Sequence, residues 1–158
     1  MMKITDTMIL FWDGFFSQWH LKDMEINGIK YNCCEQYMMA QKAWFFNDAI
    51  SYSRIMKSTH PSTQKEYGRQ VSNFDKVLWE EVCRQYVFDA NFTKFSHTDY
   101  KDLLLGTGDR EIVEASPYDK IWGIGLGENN PDALDKAKWK GTNWLGEALM
   151  KVRKVLRD

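Results

Sequence analysis

Glu35 and Lys42 stand seven positions apart in Cys34-Glu35-Gln36-Tyr37-Met38-Met39-Ala40-Gln41-Lys42, a run rich in helix formers. On a helix that spacing is close to two full turns, so a carboxylate and an amine share one face with Met38 and Met39 between them. A carboxylate that moves a proton beside an amine that attacks carbon is a set suited to general acid–base and nucleophilic catalysis. The same spacing also describes a solvated helix face with opposite charges, so the pair becomes a site only if other groups converge on it.

A second candidate is Ala115-Ser116-Pro117-Tyr118-Asp119-Lys120-Ile121-Trp122-Gly123-Ile124-Gly125-Leu126, where polar and aromatic side chains meet glycines that admit close backbone approach. Asp119 suits a general base or the orientation of a sugar hydroxyl, Trp122 suits stacking on a base or ribose, and the peptide groups of Gly123 and Gly125 suit phosphate oxygens. The segment lacks the full GxGxxG that opens a nucleotide-binding helix, and a structural turn with Trp122 in the core explains it equally well. Arg69, after Gly68, could hold a phosphate bidentately. Phe16 and Ser17, within Phe15-Phe16-Ser17-Gln18-Trp19, and Asn143 complete the candidate substrate contacts. Trp79 sits on an amphipathic pattern and has the core as its default place.

Met8–Trp12 reads as a short buried strand, and Asn27-Gly28 between Asp23–Ile26 and Ile29–Tyr31 fits a type I′ hairpin. The spacing of Tyr37, Ala40, Gln41, Trp44 and Phe45 predicts a helix over Cys34–Asp48. Short helices follow at Ser51–Lys57 and Thr63–Val71, the second after Pro61. Leu78, Val82, Tyr86 and Phe92 mark a long amphipathic helix over Asp75–Lys94, and another covers Asp99–Leu105 before Gly106-Thr107-Gly108. Glu111–Ala115 alternates as a strand does, and Lys120–Leu126 reads as a further short strand. Thr142 or Asn143 caps a last helix carrying Leu145, Leu149, Val152 and Leu156. The sum is an α+β fold, mainly helical, with a small sheet and a hairpin, in one domain over residues 1–158.

With 21 Lys+Arg against 22 Asp+Glu, the chain lacks the charge expected of a tight non-specific duplex binder. The first nine residues contain Lys3 and Asp6 but no apolar run of signal-peptide length, and no segment has the roughly 20 apolar residues of a membrane span. A cytoplasmic protein without membrane attachment is expected. Cys33, Cys34 and Cys83 are an odd number without CxxC spacing, and His20, His60 and His97 lack helical ligand spacing. Free thiols are predicted, with neither metal nor cofactor.

Taken together, FWDGFFSQWH (Phe11–His20), EQYMMAQKAWFF (Glu35–Phe46), GRQVSNFDKVLW (Gly68–Trp79), KF (Lys94–Phe95), LLLGTGDREIVEASPYDKIWGIGL (Leu103–Leu126) and WKGTNWLGEALMKVR (Trp139–Arg153) resemble the NADAR superfamily, also called YbiA-like, over nearly the whole chain. The resemblance implies N-glycosidase activity on glycosylamines, in two settings: early phosphorylated intermediates of riboflavin biosynthesis, and ADP-ribose attached to guanine in nucleic acid. It also implies Glu35, Trp79 and Asp119 as active-site residues.

The bond itself suggests a route. Lys42 attacks C1 of the ribose to give a Schiff base while Glu35 shuttles the proton, which requires a lowered lysine pKa, supplied by burial beneath Trp44, Tyr37 or Trp122. The rival is direct displacement by water activated by Glu35 or Asp119. Removal of ADP-ribose from guanine in DNA is the leading expectation, the modified base being reached on a single strand or flipped out, with Arg54, Lys57, Lys65 and Arg69 as a basic rim. Hydrolysis of a ribosylamino-pyrimidine phosphate and non-catalytic binding of an ADP-ribose-like nucleotide are the alternatives.

Overall fold

The computed structural model describes residues 2–158, which leaves Met1 of the N-terminal stretch outside the description. The chain resolves into two compact units: one runs up to Ser17 and resumes from Phe95 to Asp158, and the other is Gln18–Lys94. The architecture is the mainly helical α+β fold that the sequence predicts.

In the unit that holds both ends of the chain, β1 (Lys3–Ile4) pairs antiparallel with β2 (Met8–Phe11), and β5 (Glu111–Glu114) lies parallel on the other side of β2 with Met8 opposite Glu111 and Phe11 opposite Glu114. Ile9, Leu10 and Phe11 are all buried, which is why β2 reads as a continuous apolar run instead of an alternating one. Leu10 and Val113 pack with Ala115, Ile124, Leu126 and Ala133. Two further helices of this unit are α5 (Thr98–Leu105) and α6 (Trp144–Arg157), the latter burying Leu145, Leu149 and Val152. Arg153, buried on α6, donates to the Thr107 hydroxyl at 2.9 Å and the Arg110 carbonyl at 2.8 Å, tying the helix to the turn after α5.

Lys120–Leu126 is not a strand. Asp119 Oδ1 accepts the N–H groups of Ile121 at 2.9 Å and Trp122 at 2.8 Å, and Gly125 takes φ +71°, so donors that a ladder needs are consumed by a local turn. The segment Glu128–Lys138 contains short 3-10 helices at Pro131–Leu134 and Lys136–Lys138.

In the Gln18–Lys94 unit, β3 (Met24–Ile26) and β4 (Ile29–Tyr31) form the predicted hairpin, with Asn27 at φ 54° and Gly28 at φ 81°. Then come α1 (Cys34–Phe45), α2 (Ala49–Lys57), α3 (Pro61–Arg69) and α4 (Lys76–Phe95). Every residue from Cys34 to Ala40 is buried, so the first half of α1 is a central helix and not an amphipathic one, while Trp44 near its end is 65% exposed. On α4 the buried stripe is Trp79, Cys83, Val87, Ala90, Asn91, Lys94 and Phe95, its first three members one position along from the predicted Leu78, Val82 and Tyr86; Leu78 and the predicted Phe92 face outward.

Candidate active site

Helix α1 begins where Cys33 Sγ accepts the Gln36 N–H and where the Glu35 N–H donates to the Gln18 carbonyl at 3.0 Å. Gln18 is itself fixed, its Oε1 accepting from Asn91 Nδ2 at 2.8 Å. Cys33 Sγ donates to Gln64 Oε1 at 3.1 Å, and Gln64 Nε2 donates to Asn32 Oδ1 and to the Ser58 carbonyl. A buried polar network of this kind, which leaves Gln18 Nε2 without a described hydrogen-bond partner, fixes one arrangement of the helix start and so sets where Glu35 sits. Glu35 is only 4% exposed. Gln18, Asn91 and Gln64 carried no sequence signal beyond being polar residues among apolar neighbours.

Two turns on, Lys42 is half-buried, and burial holds its amine below the usual lysine range. The Arg69 charge pushes in the same direction and the Glu35 carboxylate opposes both, so these three residues share one electrostatic neighbourhood. The Arg69 guanidinium is exposed and pairs with Glu66 at 3.5 Å across one turn of α3. The ring on Lys42 is that of Phe74, whose centroid is 4.5 Å from Nζ; Trp44, one of the rings expected there, turns outward. Phe74 lies in a turn and was absent from the expected site.

Arg69 reaches this neighbourhood because α3 approaches α1 at Gly68. A Cβ built on Gly68 would overlap Met39 Sδ and press on Met39 Cγ and Cβ. Gly68→Ala is therefore expected to destabilise the protein by about 1–3 kcal/mol despite alanine's better helix propensity. Urea unfolding should show a lower midpoint at unchanged slope. Trp79 is buried, stacked on Tyr86 with centroids 5.8 Å apart and set 6.4 Å from the Phe46 ring. Lys94 is wholly buried on the same helix, and burial lowers its pKa.

The remaining expected residues lie in the other unit. Asp119 spends Oδ1 on the turn described above, and its carbonyl accepts the Gly125 N–H at 3.1 Å. Gly123 is buried and has no room for a side chain against the Glu114 and Asp119 carbonyls. Trp122 is half-buried, edge to face with Trp144 at 5.7 Å. Phe16, expected to touch substrate, is 1% exposed in a core cluster with Phe11, Phe15 and Phe95. Ser17 is half-buried and closes a turn through its N–H to the Gly14 carbonyl at 2.9 Å.

Asn143 is fully buried with its side chain already engaged: Oδ1 accepts the Glu114 N–H and Nδ2 donates to the Ile112 carbonyl, both at 3.0 Å. Its expected roles as a substrate contact and as a side-chain helix cap both give way to this clamp, and at φ 54° it makes no capping bond. Among the described residues, no group of three or more His, Cys, Asp or Glu is placed to hold a metal, and no helix is long and apolar enough to cross a membrane.

A buried carboxylate and a half-buried amine on one helix are the kind of pair that general acid–base and nucleophilic chemistry uses. Residues 10–157 match the NADAR domain model, a match that runs through both compact units. The chain is 42% identical over 144 residues to an N-glycosidase of Acanthamoeba polyphaga mimivirus, covering 87% of this chain and 85% of that one. It is 32% identical over 146 residues to an N-glycosidase of Nostoc punctiforme, covering 92% and 86%. The NMR structure of the E. coli protein YbiA superposes with a TM-score of 0.79 at 29% identity, covering 98% of this chain and 88% of that one. The chain belongs to the NADAR family.

Proposed function

We propose that this N-glycosidase removes ADP-ribose from ADP-ribosylated guanine in DNA, in the cytoplasm, with Lys42 as nucleophile and Glu35 as the proton-transfer group. The observation that carries the reading is the pairing of a buried carboxylate with an amine whose pKa burial lowers, two turns apart on one fixed helix. An amine-linked ribose opens to an imine at C1. Lys42 Nζ attacks C1, the C1–N bond to guanine breaks as Glu35 delivers a proton to the departing amine, and a Schiff base between Lys42 and C1 remains. Water then adds to C1, the C1–Nζ bond breaks, and ADP-ribose leaves while the proton balance returns to the pair. One water is consumed per turnover.

Support for a nucleic-acid substrate comes from Arg54, Lys57 and Arg69, all exposed on α2 and α3, and from Lys65, whose Nζ lies 5.8 Å from the Trp19 ring. The test is mass-spectrometric product analysis after incubation with ADP-ribosylated single-stranded DNA and, separately, with a ribosylamino-pyrimidine phosphate. Free ADP-ribose with restored guanine is the expected result. Turnover of the pyrimidine alone would make the protein a metabolite hydrolase, and binding of ADP-ribose without turnover of either substrate would make it a binding module.

The pH profile follows from the same chemistry. Only the neutral amine attacks, so kcat should rise with pH through the Lys42 titration and level off above it, at lower pH than a solvated lysine would give. Arg69→Met removes a charge that disfavours the ammonium, so the rising limb should move to higher pH. A limb that stays in place in Arg69→Met would remove Lys42 as its source.

A further inference from the structure

We propose that Phe74, on the turn between α3 and α4, is a positioning residue that fixes the Lys42 amine against the face of its ring, a role that rests on Lys42 being the reactive group assigned above. Nζ lies 4.5 Å from the ring centroid, within the range where a ring's negative face attracts an ammonium. The ring is 44% exposed, so core burial does not account for a phenylalanine here.

Several contacts hold it in place. Asn73 takes the left-handed conformation at φ 61°, which turns the chain just before Phe74. The Ser72 N–H donates to Asp48 Oδ2 at 2.9 Å, and the same carboxylate caps α2, accepting the Ser51 N–H at 3.0 Å and the Ser51 hydroxyl at 2.7 Å. The bonds from the Ser51 and Ser72 backbones hold the Asp48 carboxyl down at about 2, so the anchor stays ionised across the working pH range. Phe46 packs edge-on against Phe74 at 5.5 Å and is backed in turn by Trp79. The buried tryptophan of the site thus reaches Lys42 through two intervening rings.

The contact favours one state of the amine. A lysine stem is long and flexible, and a ring face that attracts the ammonium keeps Nζ in one place and offsets part of the desolvation cost of its burial. Once the proton is lost the attraction weakens, and the neutral amine is free to leave the ring for carbon. The charged groups that act on Lys42 are Glu35 from its own helix and Arg69 from α3, with Glu66 paired to Arg69.

The test uses the full chain with Phe74 replaced by mono-, di- and trifluorinated phenylalanines, which keep the shape while draining the ring face, and by Phe74→Leu and Phe74→Tyr. Lys42 is followed by NMR of 13C-methylated lysines, its signal assigned by its loss in Lys42→Met, and kcat is measured against pH in parallel. The Lys42 midpoint should fall stepwise with fluorination, by about half a pH unit for the trifluoro ring. Phe74→Leu should lose roughly three- to tenfold in kcat with KM little changed, and Phe74→Tyr should behave as the parent does. A Lys42 midpoint that is flat across the fluorinated series, or a leucine variant impaired in KM alone, would overturn the role of the ring. If the parent protein hydrolyses no N-glycoside, the functional reading falls while the NMR series still decides the contact; if it does and the series is flat, only the contact falls.

Discussion

Lys42→Met is expected to lower kcat by on the order of 10³-fold or more, with the unfolding midpoint unchanged or raised. Methionine keeps the length of the stem but not the amine. The half-buried ammonium carries a desolvation cost that the Glu35 carboxylate and the Phe74 ring offset only in part, since burial still lowers its pKa, so its loss should not weaken the fold. Glu35→Gln keeps the volume of a buried side chain and should cost about 10²- to 10⁴-fold through lost proton transfer. Because one reaction step uses both groups, the double variant should be little worse than the worse single. Borohydride added during turnover should leave a reduced sugar adduct on Lys42, detectable as a modified peptide. Lys42→Met activity within tenfold of the parent, with no adduct, would instead establish direct displacement by water activated at Glu35.

The largest effect on stability is expected at Asn143. Its amide accepts the Glu114 N–H and donates to the Ile112 carbonyl, both on β5, and Asn143→Ala removes both bonds. Each lost bond costs about 1–3 kcal/mol, and alanine adds roughly 1 kcal/mol for the left-handed backbone. A total of about 3–7 kcal/mol lowers Tm by roughly 10–20 °C in a chain of this size. Asn143→Gly removes the amide but tolerates φ 54°, so it should recover about 1 kcal/mol of that loss. Chemical unfolding of the two variants separates the terms; an alanine variant within 1 kcal/mol of the parent would mean that water replaces the amide. The same close packing requires glycine at position 146 on α6, where a Cβ would overlap the Ile112 carbonyl and the Asn143 amide itself.

The sequence made the local features plain. Asn27-Gly28 specified the hairpin because both residues accept positive φ, and Pro61 and Gly106 marked one helix start and one helix end. The Glu35 and Lys42 pair was legible because helical spacing alone puts them on one face. What was hidden depends on partners distant in sequence. The parallel pairing of β2 with β5 joins strands a hundred residues apart, which no local pattern reports. Helix α1 looked one-sided because apolar periodicity cannot reveal a helix whose Glu35 and Gln36 are buried as well. Phe74 was missed because the approach of its ring to Lys42 depends on Asn73 in the left-handed region and on Asp48 reaching across from the start of α2. Asn143 was misread because helix starts usually take a capping side chain, and here the amide turns to the neighbouring strand instead.

All three thiols belong to the Gln18–Lys94 unit, and burial pushes Cys33 up to about 12 and Cys34 and Cys83 up to about 11. With almost no thiolate and almost no surface, they are closed to alkylating reagents in the native state. Reagent uptake then reports only the moments when that unit opens, and it is blind to the unit carrying Asp119 and Asn143. The protein thus contains an opening clock for one half of itself, wound by the same packing that holds Glu35 in place.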